Sequence, residues 1–339
     1  MHLPKEVGDL ERRKPSGDGW KWLLLPVGLA AMVWLIRKVG SAELWRAIEG
    51  AVHYLPIVVL LEGAFMSMDV FALRAIAVNA GPKVPWVVWV RSACAAYATM
   101  ILLPGGRAAG EVARATQLAR FWGASRALAN GMRLQAATML ANAFISLPSA
   151  LACFFPSLEA NGLALPWLVL GNGLLTALLG AWILWLSKSE RMARWLGKIF
   201  PSFGQRGSEL QGEKVGMAIP IAYTCIGRVF QSVQYGTIVF ALGGVAGIQS
   251  ALVAQGIHLV GAAVGDLIPN QAGMTEGAYW LFGKALGFGS EPAKAVAIAL
   301  FARLAQYILA ALALVLLFVL SPFWGWKGER RKMEEDVRG

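Results

Sequence analysis

Two segments of the chain, Leu102–Glu111 (LLPGGRAAGE) and Leu267–Glu276 (LIPNQAGMTE), follow the same plan. In each one, an apolar run ends at a proline, a glycine-containing stretch follows, and a glutamate lies seven residues after the proline. Hydrophobic segments interrupted by Pro and Gly at corresponding places in two halves of a chain are typical of the binding sites of transporters. The pair therefore predicts an internal repeat, with a binding site at the two interruptions.

The composition is that of a membrane protein. Hydrophobic residues make up 57% of the chain, charged residues only 15%, and the mean hydropathy is +0.56. A soluble domain averages about 25% charged residues, and several apolar runs approach the roughly 20 residues that cross a bilayer. The net charge is +11, but the basic residues cluster in loops and tails, as orientation signals do. Nucleic acid is therefore not an expected partner.

We predict an all-α integral membrane protein with about six full transmembrane helices and two re-entrant or short helical hairpins. The predicted spans cover residues 20–36, 51–78, 127–155, 163–186, 215–242 and 292–320. Hairpin 1 covers residues 86–126 and hairpin 2 covers residues 249–291, each around one interruption. The remaining layout is a polar tail at 1–19, a single membrane domain over 20–320, a cytoplasmic loop at 187–214 and a charged tail at 321–339.

The distribution of Lys and Arg orients these elements. Both tails and the 187–214 loop are rich in basic residues and should be cytoplasmic, whereas loops 156–162 and 243–250 contain none and should be external. Hairpin 1 then enters and leaves from the cytoplasmic face and hairpin 2 from the external face, which makes an inverted-topology repeat. The alternative is that each hairpin is a pair of ordinary short spans. We expect the bacterial inner membrane, with both termini cytoplasmic.

Ionisable residues inside spans usually face a cavity or one another, because they are costly in lipid. Glu62 and Asp69 are seven residues apart and therefore project from one face of a helix. Asp69 could pair with Arg74, and Asp266, just before the second proline, could pair with Arg303 or Arg228. Roles in coupling and roles in structural ion pairs are both open for Glu62, Asp69 and Asp266.

The residues after each interruption are candidates for a headgroup site. A broken helix exposes backbone N–H groups that favour an anion such as phosphate, and Arg107 would add a planar donor fork. Glu111 and Glu276 could orient arginines, contact an amine or take a proton; the alternative is that they cap the returning helices. The full set of candidate headgroup ligands is Arg107, Glu111, Arg114, Glu276, Arg228 and Arg303.

Arg228 belongs to a polar stripe with Thr224, Gln231 and Tyr235 on an otherwise apolar helix. A buried arginine without a carboxylate is costly, so some of the candidate arginines must be paired for structural reasons. The three cysteines lie in apolar stretches, and no metal-ligand cluster, nucleotide-binding motif or catalytic nucleophile motif is visible. We therefore expect no metal, no cofactor and no catalytic residues.

The two motifs resemble those of the flippase-like transmembrane family that includes the membrane region of lysylphosphatidylglycerol synthases. The resemblance is carried by Leu-Leu-Pro with a glutamate seven residues on, by Ile-Pro-x-x-x-Gly-Met-Thr-Glu-Gly-Ala, and by Arg303. It covers roughly residues 20–320, and the spacing of the first motif is closest to the hopanoid-associated branch. The chain departs from the family shortly after hairpin 1, where an acidic residue is expected and Arg133-Leu134-Gln135 is found instead.

The resemblance implies a protein that moves or presents lipids: phospholipids, aminoacylated lipids, hopanoids or polyprenyl-linked lipids. It does not imply aminoacyl transfer. In lysylphosphatidylglycerol synthases a large soluble domain follows the membrane region, and here we expect only the charged tail at 321–339 after the last span. Membrane lipids are the expected partners. A non-catalytic accessory subunit that binds a lipid- or glycan-modifying enzyme is the alternative, and a homodimer is an open option.

Overall fold

The computed structural model describes residue 30 and residues 33–78, 84–103, 106–154, 164–188, 216–265, 271–289 and 291–320. All regular elements in these ranges are helical, which confirms the predicted all-α membrane class. Both predicted tails, nearly all of the 187–214 loop and residues 20–29 of the first predicted span lie outside the described residues.

Ten helices of nine or more residues can be followed through the described ranges, and residues 33–39 are also helical. They are α1 (Ser41–Ala51), α2 (Leu55–Ile76), α3 (Trp86–Leu102), α4 (Gly106–Trp122), α5 (Ala124–Cys153), α6 (Ala164–Lys188), α7 (Ala218–Ala241), α8 (Ile248–Gly265), α9 (Met274–Phe282) and α10 (Pro292–Val319). Short 3₁₀ turns at Val52–Tyr54 and Gly283–Leu286 follow α1 and α9. Hairpin 1 is thus α3 with α4, and hairpin 2 is α8 with α9.

Five helical segments in the described ranges are long and apolar enough to cross a membrane: Ser41–Ile76, Arg126–Cys153, Ala164–Leu186, Ile248–Gly265 and Pro292–Val319. Four of them overlap predicted spans, although Ser41–Ile76 begins ten residues before the predicted span at 51–78 because residues 41–51 are also helical. The fifth is α8, predicted as one arm of hairpin 2; its 18 residues extend about 27 Å, close to the roughly 30 Å hydrocarbon core. The predicted span at 215–242 forms α7, which is long enough but too polar to meet the same criterion.

Local sequence explains several helix ends. Pro292 opens α10 at a position where its missing N–H costs nothing. Gly123 separates α4 from α5 with a φ of 79°, a conformation that side chains with a Cβ rarely adopt. Gly273, with a φ of 80°, precedes α9 in the same way.

Helices α2 and α7 pack against each other and run antiparallel. The ring of Tyr54, before α2, contacts Phe240 near the end of α7, with ring centroids 5.7 Å apart. At the other end, Phe71 lies 5.7 Å from Tyr223, early in α7. Gly227 permits the close crossing, because a Cβ there would lie 3.2 Å from the Met68 side chain.

The packing neighbours repeat when α1–α5 are exchanged with α6–α10. Helix α3 packs on α4 and α10, and its equivalent α8 packs on α9 and α5. Helix α4 packs on α5, and correspondingly α9 packs on α10. Helix α5 packs on α7, and correspondingly α10 packs on α2. Likewise α1 lies against α10 and α6 against α5. Since the equivalent helices α2 and α7 run antiparallel, the two halves form an inverted repeat, as the two motifs predict.

The repeat extends to single contacts within the hairpins. A Cβ at Gly110 of α4 would lie 2.7 Å from the Ala96 carbonyl oxygen of α3. A Cβ at Gly261 of α8 would lie 2.9 Å from the Cα of Thr275 of α9. Ala96 and Gly261 are equivalent positions, and so are Gly110 and Thr275. The arms therefore meet at matching points, with the glycine on opposite arms.

Candidate functional site

A cavity of about 30 Å³ lies between hairpin 1, α2 and α5. It has room for a few water molecules, since one water needs about 10–15 Å³. Its polar lining is Asp69, Tyr97, Arg107, Glu111, Arg114, Gln135 and Thr138, and its apolar lining includes Phe65 and Met100. Four residues singled out from the sequence therefore meet at one place: Asp69, Arg107, Glu111 and Arg114.

Glu111 and Arg114 form a loose ion pair on α4. The Arg114 Nη1 to Glu111 Oε1 distance is 3.5 Å, and neither this nitrogen nor the Arg114 Nε makes a hydrogen bond with a described residue. The Glu111 Oε2 is buried, also has no hydrogen-bond partner among the described residues, and points at Gly131 of α5. Buried polar atoms are nearly always satisfied, so this pair retains capacity for a ligand or water.

Asp69 and Arg107 form no ion pair within the described ranges. Asp69 is half-buried, and Arg107 lies exposed in the first turn of α4. The suggested pairing of Asp69 with Arg74 is wrong: the Arg74 guanidinium lies over the ring of Trp86, 5.2 Å from its centroid. Asp69 is thereby left facing the cavity, with Arg107 and Arg114 in the same lining.

Glu276 occupies the equivalent position in hairpin 2, but charged and polar groups of the protein surround its carboxylate. Its side chain is completely buried, and Arg303 Nη2 of α10 lies 2.7 Å from its Oε1. Its Oε2 accepts hydrogen bonds from the Gly273 N–H at 2.9 Å and from Thr275 Oγ1 at 3.1 Å. These are the contacts of a helix cap and a structural ion pair, which was the alternative interpretation of this glutamate.

The difference between the two glutamates has a simple source in the repeat. The position equivalent to Arg303, 165 residues earlier, is Thr138, which lines the cavity beside Glu111. Hairpin 1 therefore lacks the arginine that neutralises Glu276. Arg133, the other arginine of this region, donates to Asn130 at 3.3 Å on its own helix.

Arg228 is a second place where charge is incompletely matched. It is 2% exposed, and its Nη1 donates to Gln231 Oε1 at 2.6 Å, while Nε and Nη2 are buried without a hydrogen-bond partner among the described residues. No described carboxylate lies within ion-pairing distance, and Asp266, its suggested partner, lies outside the described residues. The guanidinium carbon is 5.0 Å from the ring centroid of Phe65, whose side chain also lines the cavity. Phe65 thus lies between Arg228 and the cavity.

Glu62 is buried where α2, α3, α7 and α10 meet. Its Oε1 accepts a hydrogen bond from Tyr97 Oη at 3.0 Å, and its Oε2 accepts one from Gln234 Nε2 at 2.9 Å. Gln306 of α10 also faces the carboxyl group. None of these three neutral residues was predicted from the sequence to contact Glu62. The polar stripe on α7 was a usable signal for Gln234. This residue lies between Gln231 and Tyr235 of the stripe, and the predicted members of the stripe are all buried.

The described residues contain no group of three or more His, Cys, Asp or Glu side chains that could hold a metal ion. Comparison with curated proteins and with solved structures finds no match. A family model described as the lysylphosphatidylglycerol synthase TM region matches residues 21–313, which include both hairpins. The hopanoid-associated branch stays a prediction. The chain belongs to the family of lysylphosphatidylglycerol synthase transmembrane regions, and it is a membrane protein of lipid metabolism or translocation.

Proposed function

We propose that this chain is a transporter that moves a phosphate-bearing lipid between the leaflets of the bacterial inner membrane, with the headgroup bound in the cavity beside hairpin 1. The observation that carries the proposal is that this cavity gathers two carboxylates and two guanidinium groups, and that buried polar atoms of Glu111 and Arg114 have no hydrogen-bond partner among the described residues. Charges of this kind inside an apolar helical domain are rare and usually functional.

The lining suits a headgroup with a phosphate and an amine or hydroxyl group. Arg107 and Arg114 are donors for phosphate oxygens, and Arg107 lies in the first turn of α4, where backbone N–H groups also favour an anion. Asp69 and Glu111 are acceptors for an amine or hydroxyl group. The lipid acyl chains would remain in the bilayer while the headgroup uses this polar surface.

Translocation requires a rearrangement, because the cavity, with about 30 Å³ of space, has room for only a few water molecules. An inverted repeat supplies a route for it: one half can exchange conformation with the other, so that the site faces each side in turn. The tight contact of Gly110 with Ala96 holds the arms of hairpin 1 together in the conformation described here. Rocking of α4 against α5 would open the cavity.

The test is a bleaching assay in liposomes that contain the purified chain and a phospholipid with a fluorescent headgroup. A membrane-impermeant reductant destroys the label in the outer leaflet, so a functional translocase gives complete bleaching and an inactive one about half. We expect complete bleaching for the wild type and for Glu49→Gln, whose glutamate is exposed on α1. We expect half bleaching for Glu111→Gln.

Half bleaching by the wild type with every headgroup tested would overturn the proposal. It would favour the alternative of a non-catalytic accessory subunit for a lipid- or glycan-modifying enzyme. Complete bleaching by Glu111→Gln would leave translocation in place and remove the site from hairpin 1.

A further inference from the structure

Two carboxylates are almost completely buried among the described residues, and Glu62 differs from Glu276 in the charge of its partners. Glu276 is 2.7 Å from an arginine nitrogen and accepts a backbone N–H, so its negative charge is fixed in place. Glu62 is equally inaccessible at 2% exposure, but the groups that bond it are a phenol and a carboxamide. No described cation lies within ion-pairing distance of it.

Neutral partners of this kind can serve a carboxyl group in either protonation state. Tyr97 and Gln234 donate to the carboxylate as described. A protonated Glu62 needs a hydrogen-bond acceptor. The side-chain oxygens of Gln234 and Gln306 and the phenol oxygen of Tyr97 can each accept a hydrogen bond from it. The site therefore does not require a permanent charge, unlike a carboxylate held by an arginine.

The hydrogen bonds of Glu62 join the two halves of the repeat. Glu62 and Tyr97 belong to the first half, whereas Gln234 and Gln306 belong to the second. Gln234 also donates to the Val58 carbonyl oxygen at 3.2 Å, which adds a second bond across the same helix crossing. A change in the proton on Glu62 thus changes hydrogen bonds between the two halves.

Tyr97 links this carboxyl group to the cavity. Its hydroxyl donates to Glu62, and its side chain belongs to the cavity lining together with Asp69 and Glu111. A proton from water in the cavity can therefore reach Glu62 through a single intervening group, the Tyr97 hydroxyl. The same connection lets a bound headgroup influence the carboxyl group.

We propose that Glu62 is a proton-binding site that couples lipid movement to the transmembrane proton gradient. The proposal rests on the proposed function for the coupling, but proton binding by Glu62 can be tested without transport. Within the described residues, the titratable groups that face Glu62 are Tyr97 of α3 and Arg228 and Tyr235 of α7. Helix α10 presents the neutral Gln306, while its Arg303 is paired with Glu276.

The first experiment measures the proton directly. Infrared spectra of the full chain in liposomes are recorded over a pH series, and the carbonyl stretch of protonated carboxyl groups is followed. We expect one pH-dependent component of this band to be absent from the spectra of Glu62→Gln and present in those of Glu49→Gln. A band that is the same in Glu62→Gln as in the wild type would overturn the assignment.

A second variant guards against a misfolded Glu62→Gln protein. Tyr97→Phe keeps the carboxyl group and removes one of its donors, so the band should persist with a displaced midpoint. A midpoint identical to that of the wild type would show that the titrating group is elsewhere.

The coupling is tested in the bleaching assay with an imposed pH gradient of either direction and a clamped membrane potential. The wild-type rate should differ at least several-fold between the two directions, and the Glu62→Gln rate should be the same in both. A wild-type rate that ignores the gradient, or a variant that still responds, would overturn the coupling. If the wild type moves no lipid, the proposed function fails, and the infrared result still decides whether Glu62 binds a proton.

Discussion

Glu111 and Glu276 hold the same position in the two halves of the chain, yet their surroundings are opposite in character. Glu276 is completely buried, capped by a backbone amide and neutralised by Arg303. Glu111 lines a cavity, shares a loose contact with Arg114 and has one buried oxygen without a described partner. One copy of the motif holds a structural ion pair, and we propose that the other binds the headgroup, so a repeated motif need not carry a repeated role.

The largest expected change in stability comes from breaking the ion pair in hairpin 2. Glu276→Gln leaves a buried arginine without its carboxylate, and breaking such pairs costs about 3–5 kcal/mol. Thermal unfolding of the purified chain in detergent should therefore shift strongly downwards. The control is Glu291→Gln, which breaks the exposed pair with Lys294 and should cost about 0–1 kcal/mol. Equal transitions for the two variants would remove the structural role of Glu276.

Matched glycine substitutions test whether the hairpins are packed alike. Gly110→Ala and Gly261→Ala each place a Cβ under 3.0 Å from a backbone atom of the facing arm, so both should lose stability. Overpacking of this kind costs about 1–3 kcal/mol. Gly277→Ala is the control, because nothing lies within 4 Å of a Cβ there. A loss in only one hairpin, measured by the same unfolding assay, would argue against equivalent arm contacts.

A smaller effect is expected from crowding Glu111 alone. Gly131→Ala puts a Cβ 3.1 Å from the Glu111 Oε2, so the carboxylate must move by a few tenths of an ångström. Lipid translocation should slow several-fold, while unfolding stays near that of the wild type because alanine favours the helix. Gly171→Ala, in open space on α6, should leave the bleaching rate unchanged. Unaltered bleaching by Gly131→Ala would mean that the position of Glu111 is not critical.

The sequence predicted the frame of the molecule better than the partners within it. Pro and Gly at the interruptions and the lengths of the apolar runs predicted both hairpins and four of the apolar spans, because these features act locally. The inverted repeat followed from charge in the loops and appears in the antiparallel contact of α2 with α7.

Partner choice depended on helix packing and could not be predicted in the same way. Arg133 and Arg303 lie at different distances from their motif glutamates, and only the structure shows that Arg303 pairs with Glu276 while Thr138 lines the cavity beside Glu111. The neutral donors to Glu62 come from helices far apart in sequence, at Tyr97 and Gln234. Only their arrangement around one carboxyl group gives these ordinary residues a role.

The proposed headgroup site beside hairpin 1 is tested most directly by locating where a lipid headgroup contacts the chain. A phospholipid with a photoactivatable group on its headgroup is incorporated with the wild-type protein, crosslinked by light and mapped by mass spectrometry of the peptides. We expect crosslinks on α4 near Arg107 and on the cavity-facing part of α2 near Asp69, and we expect an excess of unlabelled lipid to remove them. Competed labels on α9 and α10 around Glu276, with none on hairpin 1, would contradict it.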